Sequence, residues 1–308
     1  MYQFWCITVI FNPAEYQSRL DNYFIFRDRL TSQNVNLLTI EMTFGNQNFS
    51  IPKDSNVIRL NSNSVMWQKE RMINYALSQL PDSCDKVAWL DADLLLPDGW
   101  QDLVIQKLDK VDFLQLYEKV IHLKPGEKNF GGQKENTKYG IVWQSKTYGE
   151  NWIPYRTSKL LSHAEPGFAW ASKRRAIKSG LYDKLICGGG DNWLADCLLG
   201  SYQLHHYLSK LTQTMKSDMD QWKQTFNSNT DKSTDYLPID VYHLWHGSVK
   251  DRGYFTRDLI FKEYNFNPKE DIKITNNVLE WASDKPQLHE AVINYFKNRK
   301  EDGQIDNP

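Results

Sequence analysis

The chain has 308 residues, of which 41% are hydrophobic and 24% are charged, and its formal net charge is -1. A chain of this length builds one large α/β domain or two small ones around a substantial core. The balanced charge gives no overall attraction to nucleic acid or to an anionic membrane surface. These numbers argue against a generally basic nucleic-acid-binding protein, although they leave room for a local basic patch.

The cysteines and the lengths of the apolar runs indicate in which cellular compartment the protein is expected. The four cysteines have no metal-type spacing, and Cys6 lies in an apolar run that predicts a buried free thiol. No run approaches the roughly 20 apolar residues of a membrane span. The first residues also lack the basic start and the small-residue cleavage site of a signal peptide. We therefore expect a cytoplasmic protein.

Apolar periodicity alternates between strands and helices along the first 118 residues. In chain order it predicts a strand at 3–11, a helix at 15–30, strands at 36–43 and 57–60, a helix at 64–80 and a strand at 86–90. Such alternation indicates βαβ units and a mixed, mostly parallel central sheet flanked by helices. Ligands of such sheets bind beyond the carboxyl ends of the strands.

The second half of the chain is less regular. Its pattern predicts a helix at 101–108, a strand at 112–117, a polar loop at 124–154, a strand at 167–172, a helix from 173, helical spacing at 203–226 and a helix within 276–300. The long polar loop favours a substrate-facing segment. Its aromatic residues would suit stacking on a sugar ring: Trp143, Tyr148, Trp152 and Tyr155.

No internal repeat and no boundary between independent domains is evident. We assign residues 1–260 to one domain, with a nucleotide-binding half at 1–118 and an acceptor and metal half at 119–260. Residues 261–308 form a C-terminal helical extension.

The strongest chemical signal is the segment Val87-Ala-Trp-Leu-Asp-Ala-Asp93, in which an apolar strand ends in two carboxylates. Unpaired charge at the end of a buried strand is costly, so Asp91 and Asp93 need a positive partner. An oxygen-binding divalent cation that carries a phosphate-containing substrate meets this need.

Three further segments carry candidate functional residues. Lys69-Glu-Arg-Met-Ile-Asn74 gives one polar face to an apolar helix, and a solvated helix face is the simpler interpretation of it alone. In Cys187-Gly-Gly-Gly-Asp191 the glycines allow a ligand to approach the backbone, although Asp191 could equally cap a helix. His243 and His246 precede Lys250 and Arg252, a combination that suits a metal and phosphate oxygens. His205-His206 reads as surface.

In order and context these segments resemble the GT-A-fold nucleotide-sugar glycosyltransferases. The stretch from Lys69 to the Asp-x-Asp resembles the large inverting family that contains many bacterial transferases. Gly189-Gly190-Asp191-Asn192 and His243-x-x-His246 are similar to the β-1,4-galactosyltransferases, in which Gly-Gly-Glu-Asp supplies the catalytic base and Met-x-x-His completes the manganese site. This sequence differs from that pattern at three positions, namely Asp191 (Glu there), Asn192 (Asp there) and His243 (Met there).

The resemblance covers residues 4–255 and implies roles for individual residues. Asp93 and His246 would bind Mn²⁺ or Mg²⁺, with His243 as a further candidate ligand, and Asp191 would be the general base of an inverting transfer. The implied contacts to the nucleotide sugar, UDP-linked by preference, are Asp91 on the ribose or metal, Lys250 on the diphosphate, Thr8, Phe11 and Glu41 around the base, and Arg71 and Asn74 beneath the nucleotide. Retention stays open, because retaining members share the Asp-x-Asp and the late histidine.

The sequence leaves more than one hypothesis open for the acceptor and for the class of protein. A glycan or glycolipid acceptor is the first hypothesis, and the basic cluster Lys173-Arg-Arg-Ala-Ile-Lys178 permits a hydroxymethylated DNA base as the second. A non-catalytic nucleotide-sugar-binding protein would have no use for a base. A metal-dependent nucleotidyltransferase usually has a glycine-rich phosphate loop after its first strand, which Phe11-Asn-Pro-Ala-Glu-Tyr16 lacks. The oligomeric state is not indicated.

Overall fold

The computed structural model describes residues 3–149, 164–200, 208–254 and 256–303. Its strands are β1 Gln3–Phe11, β2 Leu37–Phe44, β3 Val57–Ser62, β4 Cys84–Leu90, β5 Leu94–Leu95, β6 Phe113–Gln115, β7 Lys119–Leu123, β8 Lys134–Gly140, β9 Ala164–Glu165, β10 Ala169–Lys173, β11 Thr234–Tyr236, β12 Asp240–His243, β13 Ile272–Thr275 and β14 Val278–Trp281. Its α-helices are α1 Gln17–Ser32, α2 Lys69–Gln79, α3 Trp100–Leu108, α4 Ile141–Tyr148, α5 Gly190–Leu199, α6 Gln213–Asn229, α7 Leu259–Glu263 and α8 Pro286–Lys297. Short 3₁₀ turns occupy Arg174–Ile177 and Val249–Arg252.

The central sheet has seven strands in the order β11-β6-β10-β4-β1-β2-β3. Neighbouring strands run parallel except at β10, which is antiparallel to both β4 and β6. This arrangement confirms the predicted α/β class with a mixed, mostly parallel sheet flanked by helices.

Helices cover both faces of this sheet. On one face α1 and α3 bury Tyr23, Phe26, Leu30 and Trp100 completely, and the spacing of the α1 residues is that of an apolar helical stripe. On the other face α2, α5 and α6 pack against the sheet. Complete burial of one such side chain contributes about 1.5–3 kcal/mol, so the two apolar layers fix the helices to the sheet.

The strand order reverses next to β1, because the chain passes from β1 to β2 on one side and β4 lies on the other. A crevice at the carboxyl ends of the strands forms at such a switch point. A second sheet, in the order β5-β12-β7-β8-β9, begins just after β4. The Asp91-Ala-Asp93 segment therefore connects the two sheets and lies at the crevice.

Several predicted elements differ from the structure. The helix predicted from residue 173 is only a short 3₁₀ turn, Arg174–Ile177. Helix α2 begins at Lys69 instead of residue 64. The Ser64 hydroxyl does not cap the helix, because it donates a hydrogen bond to Glu280 and accepts one from the Trp281 amide. The polar stretch 124–154 contains β8 and α4, since pairing with β7 orders β8 despite its exposed polar residues. Trp152 and Tyr155 lie outside the described residues.

The C-terminal region, predicted as a helical extension, contains a β-hairpin as well as α8. Strands β13 and β14 pair antiparallel around Asn276 and Asn277, whose φ angles are 49° and 68°. Two consecutive positive φ angles are typical of a tight hairpin turn. The domain boundary at residue 260 stays a prediction. None of the helices in the described ranges has the length and apolarity that a membrane crossing requires.

Candidate metal and nucleotide site

Backbone hydrogen bonds fix the position of the two aspartates. Strand β4 is buried up to Leu90, and the Asp91 amide then donates to the carbonyl of Phe168 at 2.8 Å. The carbonyl of Asp93 accepts a hydrogen bond from the Leu244 amide, also at 2.8 Å. The second bond holds Asp93 beside the end of β12, which is the strand that carries His243.

Asp93, His243 and His246 form a three-residue cluster. Nε2 of His246 lies 3.1 Å from Oδ2 of Asp93, and Nε2 of His243 lies 3.6 Å from Oδ1. The two Nε2 atoms are 3.2 Å apart, and one donor atom from each residue fits within 4.8 Å. Oδ1 of Asp93 is buried and has no hydrogen-bond partner among the described residues. Three ligand atoms thus converge on one point, as a cation site requires.

The protonation states suit a cation. Burial lowers the pKa of the His243 imidazole well below its usual range, more than the Asp93 carboxylate raises it. Burial raises the pKa of the Asp93 carboxyl, but His243 and His246 outweigh this effect and hold it below its ordinary value. At neutral pH the cluster therefore presents a carboxylate and a neutral imidazole, the forms that bind metals.

The donor set also bears on the metal. One carboxylate and two imidazoles fit a transition-type divalent cation, whereas Mg²⁺ prefers oxygen ligands throughout. The residues present therefore fit a transition-type divalent cation better than Mg²⁺.

A cavity of about 90 Å³ adjoins the cluster at the switch point. The end of β1 and the segment Asp91–Asp93 after β4 line it, and the lining rings of Phe11 and Trp67 meet edge-on with centroids 5.3 Å apart. Its charged lining residues are Arg19, Lys69, Asp91, Asp93, Arg252 and Arg299. A concave site with convergent charged groups is the expected form of a small-molecule site.

Arg252 is the cation in this cavity with the greatest need of an anion. Its side chain is buried, and it makes only long hydrogen bonds of 3.3 Å, to the Tyr254 hydroxyl and to the carbonyl of His246. Among the described residues no carboxylate forms an ion pair with it. The Glu301 carboxylate acts on this guanidinium only from a distance. A buried guanidinium without a directly bonded carboxylate is costly, and its planar donors suit phosphate oxygens.

Lys69 connects the aspartates of two segments. Its buried Nζ lies 2.6 Å from Oδ1 of Asp91 and 2.9 Å from Oδ2 of Asp191. Asp191 begins the first turn of α5, where Gly189, not Asp191, is the N-cap residue. The structure therefore brings Asp191 to the edge of the site through Lys69.

Glu70 packs behind this ion pair. A Cβ atom at Gly190 would lie 2.2 Å from Oε1 of Glu70, so only glycine allows the carboxyl to pack there. Burial raises the pKa of Glu70 to about 8, although Lys69 opposes the shift. Glu70 is therefore mostly protonated at neutral pH.

Several residues assigned to the nucleotide have other partners and do not line the cavity. The Thr8 hydroxyl donates to the carbonyl of Leu90, and Glu41 accepts hydrogen bonds from the amides of Ser50 and Ile51. These buried polar groups satisfy neighbouring backbone groups instead of facing a ligand. Phe11 does line the cavity, as expected.

Arg71, Asn74 and Lys250 are also placed elsewhere. Arg71 and Asn74 both contact the Asp183 carboxylate at 3.1 Å, so they anchor the segment before α5. Lys250 is exposed. Arg252, two residues further along the 3₁₀ turn, points inward and lines the cavity instead. His205 and His206 lie outside the described ranges.

Three charged cavity residues were not named as candidates from the sequence: Arg19, Lys69 and Arg299. Arg252 was named only beside Lys250, as a second cation that could hold phosphate oxygens. Lys69 and Arg252 belong to segments that the sequence does single out, and the direction of each side chain was the missing information. Arg299 lies far along the chain, and no local signal connects it to the site.

No protein-family model matches the chain, and no curated protein matches it. Among solved structures, a mutant of Drosophila β1,4-galactosyltransferase 7 in complex with manganese, UDP-Gal and xylobiose is 13% identical; the match covers 63% of this chain and 59% of that one, with a TM-score of 0.32. Mannosyl-3-phosphoglycerate synthase from Rubrobacter xylanophilus is 10% identical, with 92% and 85% covered and a TM-score of 0.39. The 4-diphosphocytidyl-2C-methyl-D-erythritol synthase of Anaerococcus prevotii is 12% identical, with 84% and 96% covered and a TM-score of 0.35.

The chain spans 60% and 59% of the lengths of the two Drosophila galactosyltransferase structures that it matches. These matches include the class of enzyme that the sequence motifs resemble. Likenesses at this level assign neither an activity nor a substrate by themselves, so the functional conclusion depends on the geometry of the site.

Proposed function

We propose that the protein is a metal-dependent glycosyltransferase that moves a sugar from a nucleoside-diphosphate sugar, UDP-linked by preference, to an acceptor hydroxyl with inversion. The observation that supports this most is the convergence of Asp93, His243 and His246 beside a cation-lined cavity at the carboxyl end of β4. Metal ligands and phosphate-binding cations at one switch point are what a nucleoside-diphosphate donor needs.

The leaving group of such a transfer is a diphosphate, whose oxygens gain negative charge as the bond to the sugar breaks. A divalent cation at the Asp93 cluster would offset part of this charge when bound. Arg252 would donate hydrogen bonds to the same oxygens, since its guanidinium is buried beside His246 and no carboxylate in the described part of the chain forms an ion pair with it. It replaces Lys250 in our assignment of the diphosphate contact.

Asp191 is the proposed general base. Its carboxylate would accept the proton of the acceptor hydroxyl while the acceptor oxygen bonds to the anomeric carbon and the diphosphate leaves from the opposite face. The ion pair with Lys69 fixes the orientation of Asp191 relative to Asp91, which we place beside the donor. A carboxylate held in this way is consistent with inversion.

We propose a glycan or glycolipid as the acceptor. Helix α4 packs against α5, the helix that begins with Gly190 and Asp191. On α4 the half-buried ring of Trp143 stacks on Tyr139 with centroids 4.3 Å apart. Flat aromatic surfaces on α4 suit sugar rings, which present an apolar face.

The modified-DNA acceptor has less support. Lys173 and Arg175 form ion pairs with the buried Asp112, and Arg174 donates to backbone carbonyls at the end of α2. Most of the basic cluster thus has a structural role, and it does not form a free phosphate-binding patch.

A screen of nucleotide sugars with Mn²⁺ tests the proposal. We expect a UDP-sugar to raise the melting temperature only when Mn²⁺ is present, and to be hydrolysed slowly. Asp191→Asn should keep the thermal shift and lose transfer to an acceptor. If transfer by the folded variant continues at the original rate, Asp191 is not the base. If no nucleotide sugar binds, the proposed activity is wrong.

A further inference from the structure

The last described residues of the chain reach the candidate metal site. The Lys300 amide donates to the Tyr16 hydroxyl at 3.0 Å, and the Asp302 carboxylate accepts hydrogen bonds from the amides of Gln17 and Ser18 at 2.9 and 2.7 Å. These contacts fix residues 299–302, here called the C-terminal strap, to the start of α1. The strap then passes beside His246.

Gly247 allows this close passage. Its φ angle is +83°, and a Cβ atom there would lie 2.6 Å from the Lys300 carbonyl oxygen and 2.8 Å from Cα of Glu301. Any larger side chain would collide with backbone, which cannot move aside as a flexible side chain can. The turn after His246 and the strap are therefore packed directly against each other.

Glu301 is the strap residue that faces the histidine. Its side chain is 1% exposed, and its oxygens accept hydrogen bonds from Nε of Arg299 at 2.5 Å and from a terminal nitrogen of Arg19 at 2.9 Å. The oxygen that accepts from Arg19, Oε2, also lies 3.4 Å from Nδ1 of His246. That nitrogen has no hydrogen-bond partner within the described ranges, and the Glu301 carboxylate lies beside it.

The two nitrogens of the His246 ring thus face opposite sides. Nδ1 faces Glu301, whereas Nε2 faces Asp93 and His243. A carboxylate behind an imidazole keeps the proton on the near nitrogen and leaves the lone pair of the far nitrogen for a cation. Two Nε2 atoms at 3.2 Å cannot both bring a lone pair to this contact without a proton or a cation between them.

We propose that Glu301 is a positioning residue for the metal, which sets the tautomer and orientation of His246, and that the C-terminal strap is consequently part of the donor site. This inference rests on the metal site of the proposed function. Glu301 also neutralises Arg19 and Arg299. Loss of that charge alone would weaken the binding of a cation, so a charge-preserving variant and the tautomer of His246 are what separate the two roles.

Calorimetric titration of the metal-free protein with Mn²⁺ measures how much Glu301 contributes to the binding of the cation. Loss of an outer-shell partner typically weakens metal binding about 10- to 100-fold, and we expect this range for Glu301→Gln. The matched control is Glu290→Gln, which makes the same change at an exposed site on α8 and should bind Mn²⁺ normally. Asp93→Asn, which removes a ligand, should abolish binding.

Two further measurements cover a Glu301→Gln variant that fails to fold. Glu301→Asp keeps the charge beside the arginines but withdraws it from His246, and it should also weaken Mn²⁺ binding. In the unsubstituted protein, ¹⁵N NMR should show the His246 proton on Nδ1. Normal affinity of a folded Glu301 variant, or a proton on Nε2, overturns the inference. If Asp93→Asn binds Mn²⁺ normally, the metal site of the proposed function fails instead.

Discussion

Lys69 shows how one side chain can join two functional groups. Its ammonium lies within 3 Å of the Asp91 and Asp191 carboxylates, at 2.6 and 2.9 Å. If Asp191 is the base, its orientation depends on this buried ion pair more than on its own helix, because Gly189 is the N-cap residue of α5. Lys69 is therefore a positioning residue of the proposed reaction.

We predict that Lys69→Met slows transfer by about 10²-fold, since misplacing a general base forfeits much of its catalytic contribution. Lys69→Arg should retain part of the rate, because it preserves a cation near both carboxylates. The control is Lys86→Met. Lys86 lies near the start of β4, and its ion-pair partner, Asp109, is exposed. Steady-state kinetics at saturating donor measure the effect, and equal rates for the Lys69→Met and Lys86→Met variants contradict it.

Glu70 predicts a pH dependence of stability. Burial raises its pKa from 4.5 to about 8, so between these values the folded state holds a proton that the unfolded state has lost. Stability therefore falls as the pH rises through this window. Glu70→Gln removes the titration.

The free energy of unfolding in denaturant should consequently favour Glu70→Gln more at pH 8 than at pH 5, relative to the unsubstituted protein. Glu290→Gln at the surface should show no such difference between the two pH values. A Glu70→Gln effect that is the same at both would show that Glu70 is already ionised in the folded state.

The site residues differ in how far the sequence could predict them. Asp91, Asp93 and the two histidines are polar groups in apolar surroundings, so their chemistry alone pointed to a cation. Thr8 and Glu41 are also polar and buried, but they satisfy nearby backbone groups. A sequence shows that a buried polar group needs a partner without showing which partner the fold provides.

Among the elements, the turn from His246 to Gly247 depends most on its glycine. Gly247→Ala adds a Cβ atom that meets the backbone of the strap. Gly126 has nearly the same φ angle, +82°, and open space around it. The pair separates backbone strain from collision.

We predict that Gly126→Ala destabilises the protein by about 1–2 kcal/mol, the cost of the left-handed conformation alone. Gly247→Ala should destabilise it more and should weaken Mn²⁺ binding as well, because the strap must shift away from His246. Thermal unfolding and calorimetry measure the two effects. Equal destabilisation by both substitutions would mean that the strap does not pack against this turn.

The hairpin of β13 and β14 shows a local signal that a helical interpretation obscured. Ile272-Lys-Ile-Thr-Asn-Asn-Val-Leu-Glu-Trp281 has β-branched and apolar residues on both sides of an Asn-Asn pair. Asparagine tolerates positive φ, so this pair favours a two-residue turn. The helical spacing that we noted belongs only to α8.

At the scale of the whole molecule, the alternation of apolar periods predicted the first half of the central sheet. The second sheet could not be predicted, because β12 pairs with β5 and β7, which are distant in sequence, and β5 has only two residues. Yet this pairing brings His243 to Asp93. The metal site is thus a product of long-range topology, although its residues carry recognisable chemistry.

The central claim is that Asp93 makes nucleotide binding depend on a metal. The most direct test is calorimetric titration with UDP, with and without Mn²⁺, of the unsubstituted protein and of Asp93→Asn. We predict that UDP binds the unsubstituted protein with Mn²⁺ and much more weakly without it, and that Asp93→Asn removes the Mn²⁺ dependence while the protein stays folded. The same Mn²⁺-dependent affinity in both proteins would contradict the account.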